Sequence, residues 1–176
     1  MGLKGGPTQD EVMAVSLAKL GILPGDRVAD IGCGTGKIAV AASKTAERVY
    51  AIDRRSEAIA YARAEAARAG AENIEFFEGD AVEILPDLGA LDAAFVGGSR
   101  RLPEVLDLLA DRVRGKIVVN AVMVGTLHEA IASMQRLGIF EEAVHLQVSR
   151  SAGIAGGVMF KPINPVYIVV GGAGCS

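Results

Sequence analysis

The chain alternates short apolar runs with segments of helical periodicity through its first three quarters. The apolar runs are RVADIG, RVYAID, IEFFEG, LDAAFVGG and KIVVNAV. Between them lie KIAVAASKTA, SEAIAYARAEAARAG, AVEILPDL, LPEVLDLLADRV and GTLHEAIASMQRLG, whose apolar residues recur at helical spacing. Runs that are apolar on both faces are typical of buried parallel strands, and the intervening helices supply the crossover connections. The pattern predicts one doubly wound α/β domain over residues 1–176.

The pattern changes after Gly138. Two segments, EEAVHLQVSR and NPVYIVVGG, have the composition of consecutive strands, and the glycine-rich SAGIAGGVMFKPI joins them. Because no helical segment separates them, we expect an antiparallel hairpin at one side of the sheet.

The beginning and end of the first helix are also predicted by sequence. Thr8 and Glu11 have the T-x-x-E spacing of a capping box, and the helix QDEVMAVSLAKLG follows. Gly21 is expected to end this helix. The core face of the helix is predicted to contain Val12, Val15 and Leu20.

Composition narrows the classes of protein. Hydrophobic residues make up 51% of the 176 residues and charged residues 22%, which indicates a folded globular chain. The formal charge of −3 is spread over mixed signs, which argues against a nucleic acid partner. With Cys33 and Cys175 as the two cysteines, neither a disulfide framework nor a thiolate metal site is predicted. We expect a cytoplasmic protein without a signal peptide, membrane segment or metal.

A glycine-rich loop, in VADIGCGTGKIAV, connects the first apolar run to a helix. Its spacing is G-x-G-x-G at Gly32, Gly34 and Gly36, with Cys33 and Thr35 between, whereas dinucleotide sites use G-x-G-x-x-G. Asp30 precedes this loop at the carboxyl end of the strand. A carboxylate there disfavours a phosphate and suits an ammonium group or hydroxyls, although Asp30 also has the residue type of a helix or loop cap.

Acidic residues also end the next two strands. Asp53 is placed to accept hydrogen bonds from both hydroxyls of a ribose. Asp80 and Ala81 follow the third strand, where a carboxylate and a backbone amide suit the edge of an adenine. Together with Asp30, these positions describe S-adenosylmethionine laid across the strand ends. Two capping alternatives stay open: Asp80 as the cap of the next helix, and Thr8 as a plain N-cap or a cofactor contact.

Two other functions are alternatives to the S-adenosylmethionine-dependent reaction that these residues suggest. The first is a class I methyltransferase that acts on RNA, protein or another small molecule; the lack of a basic stripe and of an N-P-P-Y motif after the fourth strand argues against nucleic acid. The second is a nicotinamide-dependent oxidoreductase or a nucleotide-binding module. Asp30 and the early third glycine, Gly36, disfavour it.

Several motifs together are more specific than the glycine loop. GGPTQDEV, ADIGCGTGKIAV, VYAIDRRSEAI, NIEFFEGDA, FVGGSRRLPEVL, KIVVNAV and NPVYIVV resemble the decarboxylating precorrin methyltransferases of cobalamin biosynthesis over nearly the whole chain. The resemblance implies a seven-stranded class I methyltransferase fold with the last strand antiparallel, assembled as a homotetramer. It also implies contacts to S-adenosylmethionine from Thr8, Gly32 to Gly36, Asp53 and Ala81. The implied reaction methylates C15 of cobalt-precorrin-6B and removes carbon dioxide from its ring C acetate.

The implied substrate is a tetrapyrrole with many carboxylates, so basic and amide side chains near the strand ends are candidate contacts. The predicted substrate-binding residues are Gly97, Gly98, Ser99, Arg100, Asn120 and Arg150. Arg100 is equally consistent with a solvated charge, because relatives often carry glycine there. Asn120 is equally consistent with a bond that holds the adjacent loop. No residue stands out as a catalytic base, and carbon methylation needs in-line positioning and a dry pocket more than a base.

Overall fold

The structure is a computed structural model, and it describes residues 8–98 and 100–172. The helices of this part of the chain are α1 (Asp10–Leu20), α2 (Lys37–Ala42), α3 (Ser56–Ala69), α4 (Ala81–Ile84), α5 (Leu102–Ala110) and α6 (Val124–Arg136), with a 3-10 turn at Leu85–Asp87. The strands are β1 (Arg27–Ile31), β2 (Arg48–Asp53), β3 (Ile74–Glu78), β4 (Ala93–Val96), β5 (Lys116–Ala121), β6 (Phe140–Leu146), β7 (Ser149–Ile154), β8 (Gly157–Pro162) and β9 (Val166–Gly172).

Seven strands form one sheet in the order β3-β2-β1-β4-β5-β9-β6. Strands β1 to β5 are parallel, and β9 runs antiparallel to both β5 and β6. The predicted doubly wound sheet with an antiparallel last strand is therefore confirmed. Strand β1 lies between β2 and β4. The helix after β1 leads to β2 on one side of it, whereas the helix after β4 leads to β5 on the other side. The carboxyl end of β1 is therefore the switch point where ligands bind in such sheets.

Alternate residues of the strands face two different layers of helices. On β1, Val28 belongs to the cluster that packs against α1, α2 and α3, whereas Ala29 and Ile31 belong to the cluster under α4, α5 and α6. Both clusters are made of fully buried aliphatic side chains, which is why the strands are apolar at nearly every position. Asp30 shares the face of Val28 and is the exception in this pattern.

The hairpin predicted after Gly138 is present as β6 and β9, which pair antiparallel. The glycine-rich segment that joins them folds into a second hairpin, β7 and β8. Its turn is formed by Ala155 and Gly156, which both have positive φ (44° and 81°), as a tight two-residue hairpin turn requires. Arg150 accordingly lies in β7 and not at the end of β6.

The capping box predicted at the start of α1 is also wrong. Gln9 is the N-cap residue and makes no side-chain capping bond, so Thr8 lies one residue outside the helix. The Glu11 carboxylate that would complete the box is bound instead by the Arg150 guanidinium, with Nε 3.0 Å and Nη2 2.6 Å from its two oxygens. The predicted end of the helix is confirmed, because Gly21 adopts the left-handed conformation that closes α1.

None of the helices in the described residues combines the length and the apolar content that a bilayer span needs.

Candidate active site

Two cavities lie at the carboxyl edge of the sheet, on either side of the loop after β1. The first has a volume of about 400 Å³, and the second a volume of about 330 Å³. The predicted residues that line the first cavity are Thr8, Asp30, Gly32, Cys33, Gly34, Thr35, Gly97 and Asn120. Those that line the second are Gly32, Asp53, Asp80, Ala81, Gly97, Gly98 and Arg100. The sequence positions chosen at separate strand ends therefore meet around one loop.

Two predicted residues, Gly36 and Arg150, stand apart from these cavities. Gly36 lies behind the loop, at the start of α2. Arg150 lies on β7 and contacts Glu11 of α1, and it lines neither cavity formed by the described residues. Ser99 lies outside the described residues. Their roles stay predictions.

The glycine loop needs its glycines for close approach as well as for conformation. Gly32 has φ +72°, and a Cβ there would lie 2.9 Å from the backbone nitrogen of Gly98. Gly36 has φ +75° and is the N-cap of α2, where a Cβ would lie 2.8 Å from the Cβ of Ala62 on α3. The third glycine therefore serves helix packing at the end of the loop.

Substituting Gly36 by alanine tests this packing role. We expect the free energy of unfolding to fall by about 3 kcal/mol, since the left-handed conformation costs about 1–2 kcal/mol and the overlap with Ala62 adds a similar amount. Gly70 is the matched control, because it has φ +66° but no atom within 4 Å of an added Cβ. Gly70→Ala is expected to cost about 1 kcal/mol. Urea unfolding measures both, and equal losses would contradict the packing role.

Asp30 is buried and without a partner. Its side chain is 1% exposed, and neither carboxylate oxygen accepts a hydrogen bond of normal geometry. Burial raises the pKa of this carboxyl from 3.8 to about 7; the nearby amide of Ala39 opposes the rise and the charge of Asp53 adds to it. Because an unpaired buried carboxylate is costly, its presence at a cavity wall indicates a cationic or hydrogen-donating ligand.

Asp53, in contrast, is fully hydrogen-bonded. Its Oδ2 accepts from the amide of Gly34 at 2.9 Å and from Arg55 Nη2 at 3.0 Å, and its Oδ1 accepts from the amide and the Nε of Arg55, both at 3.0 Å. Burial acts to raise the pKa of Asp53, but the hydrogen bonds from Arg55 and Gly34 outweigh it and hold the pKa below its ordinary value. Asp53 is therefore an ionised acceptor at neutral pH.

Asp80 performs the capping role that was left open as an alternative. Its Oδ1 accepts from the amide of Val82 at 3.0 Å, which caps α4. Its Oδ2 lies 3.5 Å from Arg101 Nη1. Arg101 is a non-glycine residue with φ +52° and also pairs with Glu104. The Asp80 side chain remains 21% exposed at the second cavity, so capping leaves room for a ligand contact.

Among the described residues, α1 holds the side chain of Asn120. Its Nδ2 donates to Ser16 Oγ at 2.9 Å, and the buried Ser16 hydroxyl lies 2.8 Å from the carbonyl oxygen of Val12. Asn120 Oδ1 lies 3.1 Å from the same hydroxyl, which donates its one hydrogen either to Oδ1 or to Val12, and the second Nδ2 hydrogen of Asn120 keeps hydrogen-bonding capacity on the first cavity.

Sequence reasoning missed several residues that line the cavities, among them Arg55, Lys37 and Asn164. Arg55 lines both of them and binds Asp53. Lys37 lies at the first cavity, where its Nζ donates to the carbonyl of Thr8 at 2.7 Å and lies 2.5 Å from Asp10 Oδ1. Asn164, from the N-P-V segment, also lines the first cavity. The available signals were the basic residue directly after the glycine loop and the N-P-V motif itself.

No group of three or more histidine, cysteine, aspartate or glutamate side chains able to hold a metal occurs among residues 8–98 and 100–172. Cys33 is buried at the loop, and burial raises the pKa of its thiol, so the sulfur is a neutral packing group.

The strand order and the glycine loop at the switch point define the class I methyltransferase fold. A SAM-dependent O-methyltransferase from Thermotoga maritima has the same fold, with a TM-score of 0.78 at 17% identity over 97% of this chain and 67% of that chain. The family model described as "Precorrin methyltransferase domain" matches residues 4–171. The chain belongs to this precorrin methyltransferase family.

Relatives of known name are similar over their whole length. A protein of Methanosarcina acetivorans, named probable cobalt-precorrin-6B C(15)-methyltransferase (decarboxylating), is 48% identical over 97% of this chain and 96% of its own. Among solved structures, precorrin 8W decarboxylase of Methanobacterium thermoautotrophicum has a TM-score of 0.92 at 34% identity, over 95% and 92% of the two chains. Precorrin-6y C5,15-methyltransferase of Geobacter metallireducens has a TM-score of 0.90 at 32% identity, over 97% and 93%.

Proposed function

We propose that the chain transfers a methyl group from S-adenosylmethionine to C15 of cobalt-precorrin-6B and removes the carboxyl group of the ring C acetate. The observation that carries the cofactor assignment is the buried, unpartnered carboxylate of Asp30 at the glycine loop. The amino-acid end of S-adenosylmethionine carries an ammonium group that satisfies it. The acceptor assignment is supported by the names of relatives that match over their full length.

The residues around the loop fit the three parts of the cofactor. Asp30 would accept from the ammonium, Asp53 from the ribose hydroxyls, and Asp80 with the amide of Ala81 would meet the adenine edge. Asp53 and Asp80 line the second cavity and Asp30 lines the first, so the ligand would pass over Gly32, which lines both. The glycine loop lets backbone approach the ligand without a side chain in the way. Thr8, Cys33 and Thr35 would complete the wall of the first cavity.

When bound, S-adenosylmethionine supplies an electrophilic methyl group on a sulfonium. The chain then has to hold the attacking carbon in line with that methyl and keep water out, because an electron-rich ring carbon needs no strong base. Asn120, fixed by Ser16 on α1, offers a positioned amide at the first cavity. Arg100 and Lys37 offer positive charge for substrate carboxylates at the second and first cavities. Gly97 and Gly98 would leave space for the ring.

Incubation with cobalt-precorrin-6B and methyl-labelled S-adenosylmethionine, followed by mass spectrometry, tests the reaction. The expected product has gained one labelled methyl group and lost one carbon dioxide. Label transfer without loss of carbon dioxide would retain the methyltransferase and reject the coupled decarboxylation. Binding of the cofactor without transfer to this acceptor would reject the acceptor and leave an RNA, protein or other small-molecule substrate to be sought.

We also propose a homotetramer, following the family resemblance. Its interface would include the hairpin of β7 and β8 (residues 149–162), which we call the β7–β8 arm. Val158 and Phe160 share one face of β8 and are 74% and 69% exposed. Large apolar side chains this exposed on neighbouring positions are typical of a contact surface.

The cytoplasmic location stays a prediction from the cysteine content.

Substituting Phe160 by aspartate tests the assembly. We expect the wild type to sediment as a tetramer and Phe160→Asp to sediment mainly as smaller species, because the substitution places a charge in an apolar contact. Tyr61→Asp is the control, since Tyr61 is an exposed aromatic residue on α3, away from the arm. A monomeric wild type, or a tetrameric Phe160→Asp variant, would contradict the proposed interface. Sedimentation velocity distinguishes these outcomes.

A further inference from the structure

The acceptor sites of the Asp53 carboxylate are filled in this structure. An ionised carboxylate has about four lone-pair sites, two on each oxygen. Two of them accept from the backbone amides of Gly34 and Arg55, and the other two accept from Nε and Nη2 of the Arg55 guanidinium. A ribose brings two hydroxyl donors to this carboxylate. Two of the four existing bonds therefore have to be given up when a ribose binds.

The two backbone bonds are part of the loop architecture and the two guanidinium bonds are not. The amide of Gly34 belongs to the glycine loop, and the amide of Arg55 precedes α3, so neither can withdraw without rebuilding the loop. The Arg55 side chain is 39% exposed and lines both cavities, whereas the Asp53 side chain is 6% exposed. The guanidinium is thus the partner of Asp53 that a ligand can replace, and the two bonds that it makes to Asp53 equal in number the two that a ribose would make.

We infer that Arg55 is a positioning residue that competes with the ribose for Asp53: it holds the carboxylate ionised and oriented in the ligand-free protein, and it must leave when an adenosine ligand binds. This inference rests on the proposed function, since it requires a ribose at Asp53. It also assigns Arg55 a role in cofactor exchange. When the adenosine product leaves, its ribose gives up two hydrogen bonds to Asp53, and the returning guanidinium replaces them. Binding of the cofactor is thereby weakened and release of the product is favoured.

The competition has a distinctive dependence on the ligand. A ligand with both ribose hydroxyls has to displace the guanidinium, so removing Arg55 strengthens its binding. A ligand that lacks both hydroxyls leaves the guanidinium in place, so removing Arg55 leaves its affinity unchanged. A merely structural or general electrostatic role of Arg55 would shift both affinities alike.

The test uses S-adenosylhomocysteine and its 2′,3′-dideoxy analogue as probes, with calorimetry on the full chain. Arg55→Met is expected to bind S-adenosylhomocysteine about fivefold more tightly than the wild type, the size expected for loss of a competing, partly exposed ion pair. Its affinity for the dideoxy analogue is expected to stay within about twofold of the wild type. Arg54→Met is the matched control, because it removes the same charge from the adjacent residue and leaves the four bonds of Asp53 in place. It is expected to give no such tightening.

The outcomes separate this inference from the proposed function. A wild type that binds neither S-adenosylmethionine nor S-adenosylhomocysteine overturns both. A wild type that binds them, with an Arg55→Met variant whose affinity is unchanged, weaker, or increased equally for both probes, overturns the competition alone. Tightening by Arg54→Met equal to that by Arg55→Met also overturns it. If Arg55→Met does not fold, Arg55→Leu gives the same comparison, since leucine carries neither a charge nor a hydrogen-bond donor that could bind Asp53.

Discussion

Substituting Asp53 by alanine is expected to weaken binding of S-adenosylmethionine by about 30- to 5,000-fold. Two hydrogen bonds to a charged acceptor are lost, each worth about 1.5–3 kcal/mol. Part of this loss is offset, because the Arg55 guanidinium no longer has to be displaced, and a partly exposed ion pair is worth about 1 kcal/mol. The net loss of about 2–5 kcal/mol corresponds to the stated range.

The Asp53 variant needs a control for the loop itself, since Asp53 also accepts from the amide of Gly34. Asp53→Asn retains one oxygen acceptor in the same place and is expected to bind more tightly than Asp53→Ala. Thermal unfolding of both variants reports whether the loop has been lost. Calorimetry that finds wild-type affinity in a folded Asp53→Ala would remove Asp53 from the binding site.

The fold was predictable because its determinants are local and repeated. The strands are apolar at consecutive positions since helices cover both faces of the sheet, as at Val28 and Ala29 on β1. The acids at the candidate site were predictable for a related reason. Asp30, Asp53 and Asp80 each lie at or just after the carboxyl end of a strand, and parallel neighbouring strands bring their carboxyl ends to one edge.

The contacts that sequence could not predict are of two kinds. Some join residues far apart in the chain, and one depends on the backbone conformation between β2 and α3. Asn120 is held by Ser16, 104 positions away, and Glu11 is bound by Arg150, 139 positions away. The second contact also explains the failed capping box, because the arginine takes the carboxylate that the cap would need. Arg55 is only two residues from Asp53, but whether its guanidinium turns back depends on the backbone between β2 and α3.

Two carboxylates at the same loop thus have opposite properties. Asp53 receives four donors, and its pKa lies below the ordinary value, whereas Asp30 receives none of normal geometry, and its pKa is raised to about 7. Both are nearly inaccessible to water in the absence of a ligand. The difference between them is the set of donors around Asp53, which come from Arg55 and the amide of Gly34. The ligand-free protein therefore compensates one of these buried charges internally and leaves the other to be compensated by what binds.

Substituting Asp30 by asparagine is expected to stabilise the ligand-free protein above neutral pH and to impair cofactor binding. The folded pKa of Asp30 is raised from 3.8 to about 7, so its stabilising contribution is fully present below about pH 4 and is lost as the pH rises to about 7. At about 1.4 kcal/mol per pH unit, this interval corresponds to a loss of up to about 4 kcal/mol. Asparagine stays neutral, so Asp30→Asn escapes that loss.

Urea unfolding at about pH 4 and about pH 8 measures the difference. The wild type is expected to lose stability relative to Asp30→Asn between these values, and Asp111→Asn, at the exposed end of α5, is expected to follow the wild type. Cofactor binding by Asp30→Asn is expected to be at least about tenfold weaker, since an ammonium loses its charged acceptor. An Asp30→Asn variant less stable than the wild type at the higher pH would contradict the uncompensated charge. Undiminished binding would contradict the assignment of Asp30 to the ammonium, because the buried carboxylate that destabilises the wild type would then make no contribution to cofactor binding.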